Sequence, residues 1–107
     1  MKVAIFLKNN KVKAFNDSNI DILIFQLKDN QVVGVETLTP KGNHRSERMQ
    51  MMKYKGVNAI YLLEIEDKYM KCLQKHNIKI ITGEQLANDK LFNTLYFSNI
   101  SKEPLDV

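Results

Sequence analysis

Two stretches of this chain carry side chains with chemistry to offer. The first is Gly42-Asn43-His44-Arg45, where an imidazole and a guanidinium stand side by side at the predicted start of a helix. Free N–H groups and the helix dipole favour an anion at such a start. An imidazole there can ligate a metal or hydrogen-bond a phosphate. The plainer reading is a solvent-exposed histidine, and one histidine falls short of a ligand shell. The second stretch is Glu64-Ile65-Glu66-Asp67, three acids in a turn between a predicted strand and a predicted helix. In open α/β sheets, ligands bind at the carboxyl ends of strands, usually on glycine-rich turns. Here an acid takes the electrostatic place of the anion. Glu66 or Asp67 in a first helical turn is worth ~0.3–1 kcal/mol to its own helix. The turn is therefore expected to cap its own helix and to repel an anion. A cation site from Glu64 and Glu66 lacks an evident third ligand.

Other reactive groups are isolated. Cys72 is the only cysteine, which excludes an internal disulfide or an all-cysteine metal site. In a predicted helix it reads as a half-buried small hydrophobe. His76 ends that helix, where a cation is favoured. Asp21 has no paired acid at an opposing strand end, and the first strand holds none, so two-metal nuclease chemistry is not supported. There is no Gly-x-Ser-x-Gly elbow, P-loop or dinucleotide-binding glycine fingerprint. Tyr54, between Lys53 and Lys55, is the one aromatic in a basic run. It is expected to pack on the sheet rather than stack on a base, and nucleic acid is not an expected partner.

Elements that must position these groups follow from patterning. Continuous β-prone runs at 3–7 (VAIFL), 20–27 (IDILIFQL), 32–38 (VVGVETL), 57–63 (VNAIYLL) and 78–82 (IKIIT) predict five strands. KDNQ predicts a tight hairpin between the second and third, and KNNK a shorter hairpin or a loop. A first helix is expected from about His44 to Lys55, capped by Asn43 and stopped by Gly56. Met49, Met51 and Met52 read as its core contacts. A second is expected over 66–76, with Tyr69, Met70 and Leu73 facing the sheet and Asn77 ending it. A weaker helical pattern runs through Leu86, Leu91, Phe92 and Leu95.

The 107 residues, 44% apolar and 26% charged, fit one globular domain, 1–107, with a frayed tail from about 96. The net charge is +4, and residues 39–55 account for all of it, with five basic side chains against Glu47 alone. Such a patch is most often a solvated helix face and sometimes meets an anion. No apolar run approaches the ~20 residues of a membrane span. The opening MKVAIFLKNN is too short for a signal peptide, so a cytoplasmic protein is expected.

This order of elements resembles the dinitrogenase iron-molybdenum cofactor biosynthesis family from Met1 to about Leu95. The resemblance is carried by MKVAIF, by KAFNDSNIDILIFQLKDNQVVGVETL and by YKGVNAIYLLEIEDKYMKCLQKHNIKIITGE. It implies an α/β, ribonuclease H-like three-layer domain, with a mixed five-stranded sheet in order 3-2-1-4-5 and helices on both faces. It also implies a small non-enzymatic carrier or binding protein for an iron–molybdenum or iron–sulfur cluster. Where the family has His-Phe-Gly, this chain has Ala14-Phe15-Asn16. Of the family's glycine- and histidine-rich segment, KGNHRS keeps Gly42 and His44. The cofactor-binding residues so implied are Phe15, Asn16, His44 and Arg45, facing an anionic ligand or cluster through degenerate motifs. No catalytic residue and no metal-ligand set is assigned. The alternative reading is an interaction or regulatory protein that keeps the fold without the cluster, with a protein partner or a second copy of itself.

Overall fold

The β-branched and aromatic runs form one mixed sheet, and its centre is the strand most uniformly apolar in sequence. In the computed structural model, which describes residues 1–100, β1 (Lys2–Lys8) has five consecutive buried residues. A short β2 (Lys11–Val12) folds back on it, followed by β3 (Asp21–Lys28) and β4 (Gln31–Leu38). Beyond a helix come β5 (Ala59–Leu62) and β6 (Lys79–Thr82). Their order is β4-β3-β1-β5-β6, with β2 paired to β1 off this path. β3 is antiparallel to both β1 and β4, whereas β5 is parallel to β1 and β6. This is the expected order, with one short strand added.

Local sequence explains both hairpins. Asn9 and Asn10 (φ 52° and 64°) join β1 to β2, and Asp29 and Asn30 (φ 51° and 62°) join β3 to β4. Two consecutive positive φ angles make the type I′ turn that matches strand twist, and Asn and Asp tolerate it best.

Side chains alternate across the sheet and feed two cores. On one face, Phe6, Ile22, Ile24, Ile60 and Leu62 pack under Met52 of α1 (Arg45–Tyr54) and Leu73 of α2 (Asp67–Lys75). On the other, Ile5, Phe25, Tyr61 and Ile81 meet Leu86 of α3 (Gln85–Asn88), and Phe92 and Leu95 of α4 (Lys90–Asn99). Gly56 (φ 67°) and Asn77 (φ 62°) stop α1 and α2 as expected.

Several expectations are corrected. Tyr54 does not pack on the sheet: it is 88% exposed, because the inward face of α1 is set by Arg48 and Met52, and a residue two further on points away. Asn43 is not the cap of α1; that position belongs to His44, whose side chain makes no capping bond. The single weak helix is two, broken at Asp89, whose carboxylate accepts from Phe92 N–H (2.8 Å) and caps α4. The tail expected from about 96 begins inside α4, where Tyr96 is buried and its hydroxyl donates to Asn10 O (2.7 Å). The rest of that tail, 101–107, lies outside the described residues.

Candidate functional site

In this strand order the chain leaves β1 toward β3 on one side and returns to β5 on the other. The carboxyl ends of β1 and β5 are therefore the switch point where an open α/β sheet offers a crevice. The segment after β2 fills it. Lys13 N–H donates to Phe6 O (2.8 Å), Leu63 N–H to Lys13 O (2.9 Å), and Phe15 N–H to Glu64 O (2.9 Å). Asp17 holds the far side of this loop, its carboxylate accepting from Ala14 N–H at 2.9 Å.

Phe15 sits at the floor of that plug. It is 1% exposed, with ring centroids 5.6 Å from Phe6 and 5.7 Å from Tyr69. Its ring belongs to the core and is not presented to a ligand. Asn16, the next residue, is half-exposed on the rim.

The N-terminus of α1 meets the same rim. His44 is exposed, and its ring folds back toward Gly42, so that a β-carbon on that glycine would lie 3.4 Å from Nε2. Arg48 N–H closes the first helical bond to His44 O (3.1 Å), so the amides of Arg45, Ser46 and Glu47 have no partner within the helix. Arg45, half-exposed, sets its Nε 3.0 Å from Glu66 Oε1. That is an ion contact without the alignment of a hydrogen bond, because the Nε–H does not point at the carboxylate. Glu66 is the N-cap of α2 but makes no side-chain capping bond. Asp67, in the first turn, pairs instead with Lys71 at 2.9 Å and raises its pKa. The acidic turn thus supplies charge at the helix start as expected, while its expected side-chain cap is not formed.

Sequence reasoning missed Arg48. It was visible only as one charge in a basic run, yet it is 1% exposed. Its two terminal nitrogens donate to Phe15 O and Gly42 O, both at 2.6 Å. One guanidinium thereby ties the plug, the loop before α1 and α1 itself. Its Nε is buried without a partner. Burial lowers its pKa; Asp17 opposes that shift and Arg45 adds to it. Position four residues after His44, on the face of Met52, is the one sequence signal for burial, and an arginine there reads as solvated.

All four implied residues thus gather at one end of the sheet, with Phe15 beneath the surface and Asn16, His44 and Arg45 on it. Acids (Asp17, Glu64, Glu66, Asp67) share this end with the cations. His44 is its one imidazole, and Cys72 lies half-buried along α2 with its carbonyl bonded by His76 Nδ1 (3.0 Å). Among the described residues, no three His, Cys, Asp or Glu side chains are grouped to hold a metal ion. The donors present do not make a closed ligand set for a metal centre. Also among the described residues, no helix is long and apolar enough to cross a membrane.

No protein-family model matches the chain, and no curated protein does. Several solved structures are similar, two of them over nearly all of both chains. The crystal structure of PH0822 is 16% identical, covers 94% of this chain and 93% of its own, and superposes with a TM-score of 0.69. The solution structure of a proposed dinitrogenase from Methanococcus jannaschii is 25% identical, covers 97% and 95%, and gives 0.66. The chain shares their fold, and its likeness to the second agrees with the resemblance read from its sequence.

Proposed function

We propose that this protein is a small non-enzymatic binding or carrier protein, with its cargo seated on the rim formed by Asn16, His44 and Arg45. The observation that supports this reading is the gathering of those residues at the switch point of the sheet, beside the open amides of α1. The cargo class taken from the resemblance is an anionic iron–molybdenum or iron–sulfur cluster. Without a closed ligand set, the hold is loose, as suits delivery: His44 is the donor, and the helix start supplies partial positive charge. Arg48 does not touch the cargo in this reading. It keeps the plug under Asn16 in register with the start of α1. The protein is expected to act as a single domain.

A second reading has one specific observation in its favour. Glu66 lies against Arg45, so the guanidinium of the rim already faces an anion from its own chain. An interaction protein that kept the fold and lost the cargo would have this arrangement. Anaerobic reconstitution with ferrous iron and sulfide, with and without molybdate, separates the two. Stoichiometric metal with a charge-transfer absorption band supports the carrier. Protein that develops no such band and takes up no metal at equilibrium, before any desalting, refutes it and leaves the interaction protein.

A further inference from the structure

We propose that the outer edge of β4 is a self-association surface, where a second copy of this chain pairs its own β4 antiparallel and continues the sheet. Among the described residues, β4 is hydrogen-bonded to β3 alone and ends the strand order. None of its eight residues is buried. Val32, Val33 and Val35 are 37%, 59% and 54% exposed, an apolar and β-branched strip. Natural edge strands are normally blunted by lysine, proline or a bulge. Here the strand has no lysine or proline. Its one charge, Glu36, is paired with Lys55, the residue after α1. The strand has one irregularity, a bulge at Val33 between the pairs Gly34–Gln26 and Val32–Leu27, and the stretch Gly34–Leu38 beyond it is regular.

The direction of the open backbone groups follows from the ladder. Leu27 N–H donates to Met1 O (2.7 Å), so Leu27 faces β1. Alternation along β3 then turns Phe25 and Leu23 toward β1 as well, and their partners Val35 and Thr37 point N–H and C=O outward.

A second copy fits this edge better than an unlike strand because the edge is complementary to itself. Antiparallel pairing about Val35 sets Val35 against its own counterpart within the regular part of the strand. Glu36 then lies opposite Gly34, so no two like charges are opposed across the pair. The result is a twofold interface centred on Val35.

The test is sedimentation of the full chain from about 1 to 500 µM, the range in which so small an interface assembles. The expected result is a reversible shift from 12.4 kDa to twice that mass. Val35→Lys opposes two charges at the twofold and should raise the dissociation constant at least about tenfold. Its circular dichroism should be unchanged, since the position is exposed. Val35→Cys in a Cys72→Ala background should cross-link on mild oxidation, because facing residues of a hydrogen-bonded pair stand about 5.5 Å apart, within disulfide reach. A parent that stays at 12.4 kDa throughout overturns the proposal, as does a Val35→Lys protein that dimerises like the parent. Failure of the folded cysteine variant to cross-link overturns pairing about Val35.

Discussion

Replacing Arg48 by methionine removes the guanidinium while keeping most of its apolar stem. Two hydrogen bonds at 2.6 Å from a charged donor are lost, to Phe15 O in the interior and to Gly42 O nearer the surface. A bond to a charged group is worth about 1.5–3 kcal/mol, and a buried carbonyl left bare costs about 1–3 kcal/mol. Water can reach the Gly42 carbonyl and recover part of that loss. Removing a buried charge also returns its desolvation cost. The net expectation is a loss of about 2–4 kcal/mol. With a urea slope of about 1–1.5 kcal/mol/M for a chain of this size, the unfolding midpoint should fall by roughly 2 M. Arg48→Lys should recover less than half, since an ammonium cannot reach both carbonyls with the planar fork. Hydrogen exchange should localise the damage, with the Phe15 amide, bonded to Glu64 O, among the first to lose protection. A midpoint within about 0.5 M of the parent, or a lysine variant as stable as the parent, would refute the view of Arg48 as the clamp of this end.

Three further outcomes follow from the geometry. Asp89→Ala removes a carboxylate that caps α4 and also accepts from Tyr61 Oη (2.9 Å), so thermal unfolding should show a loss of about 2 kcal/mol. Burial, with the Asp89 hydrogen bond and charge beside it, raises the Tyr61 pKa above its ordinary value of 10.0. The folded state then holds that proton longer than the unfolded state, so Tyr61 contributes stability in full below about pH 10 and loses it as pH climbs toward the raised value. Alkaline urea titrations should show that decline in the parent and a flatter profile in Tyr61→Phe. Arg45→Glu places a like charge against Glu66; because both side chains are substantially exposed, the cost should stay below about 1 kcal/mol and shrink further in high salt.

The sheet was legible because its signals are local and strong. Five runs of β-branched and aromatic residues and two Asn/Asp turns mark the strands and hairpins of a mixed sheet, while the strand order came from the family resemblance. The break at Asp89 was not, because a capping aspartate inside a helical pattern reads as one more polar residue. Tyr54 misled because aromatic character favours burial, whereas its angle around α1 decides. At this end of the sheet, the approach of the loop at 13–17 to the start of α1 was not legible, since nothing local links the two. Two pairings escaped for the same reason: Arg48 with the carbonyls of Phe15 and Gly42, and Arg45 with Glu66. Both join residues distant in sequence, and charge alone does not tell a buried arginine from a solvated one.

The central claim, that cargo sits on the rim at the start of α1, is tested most directly by titrating the 15N-labelled full chain anaerobically with tetrathiomolybdate, a compact anionic molybdenum–sulfur probe. The account predicts saturable shifts, largest at the amides of Asn16, Arg45 and Ser46, smaller at Glu66, and abolished at those positions by His44→Ala. Shifts that never saturate, that centre on the Glu64–Asp67 turn or the β4 edge, or that survive His44→Ala unchanged would contradict it.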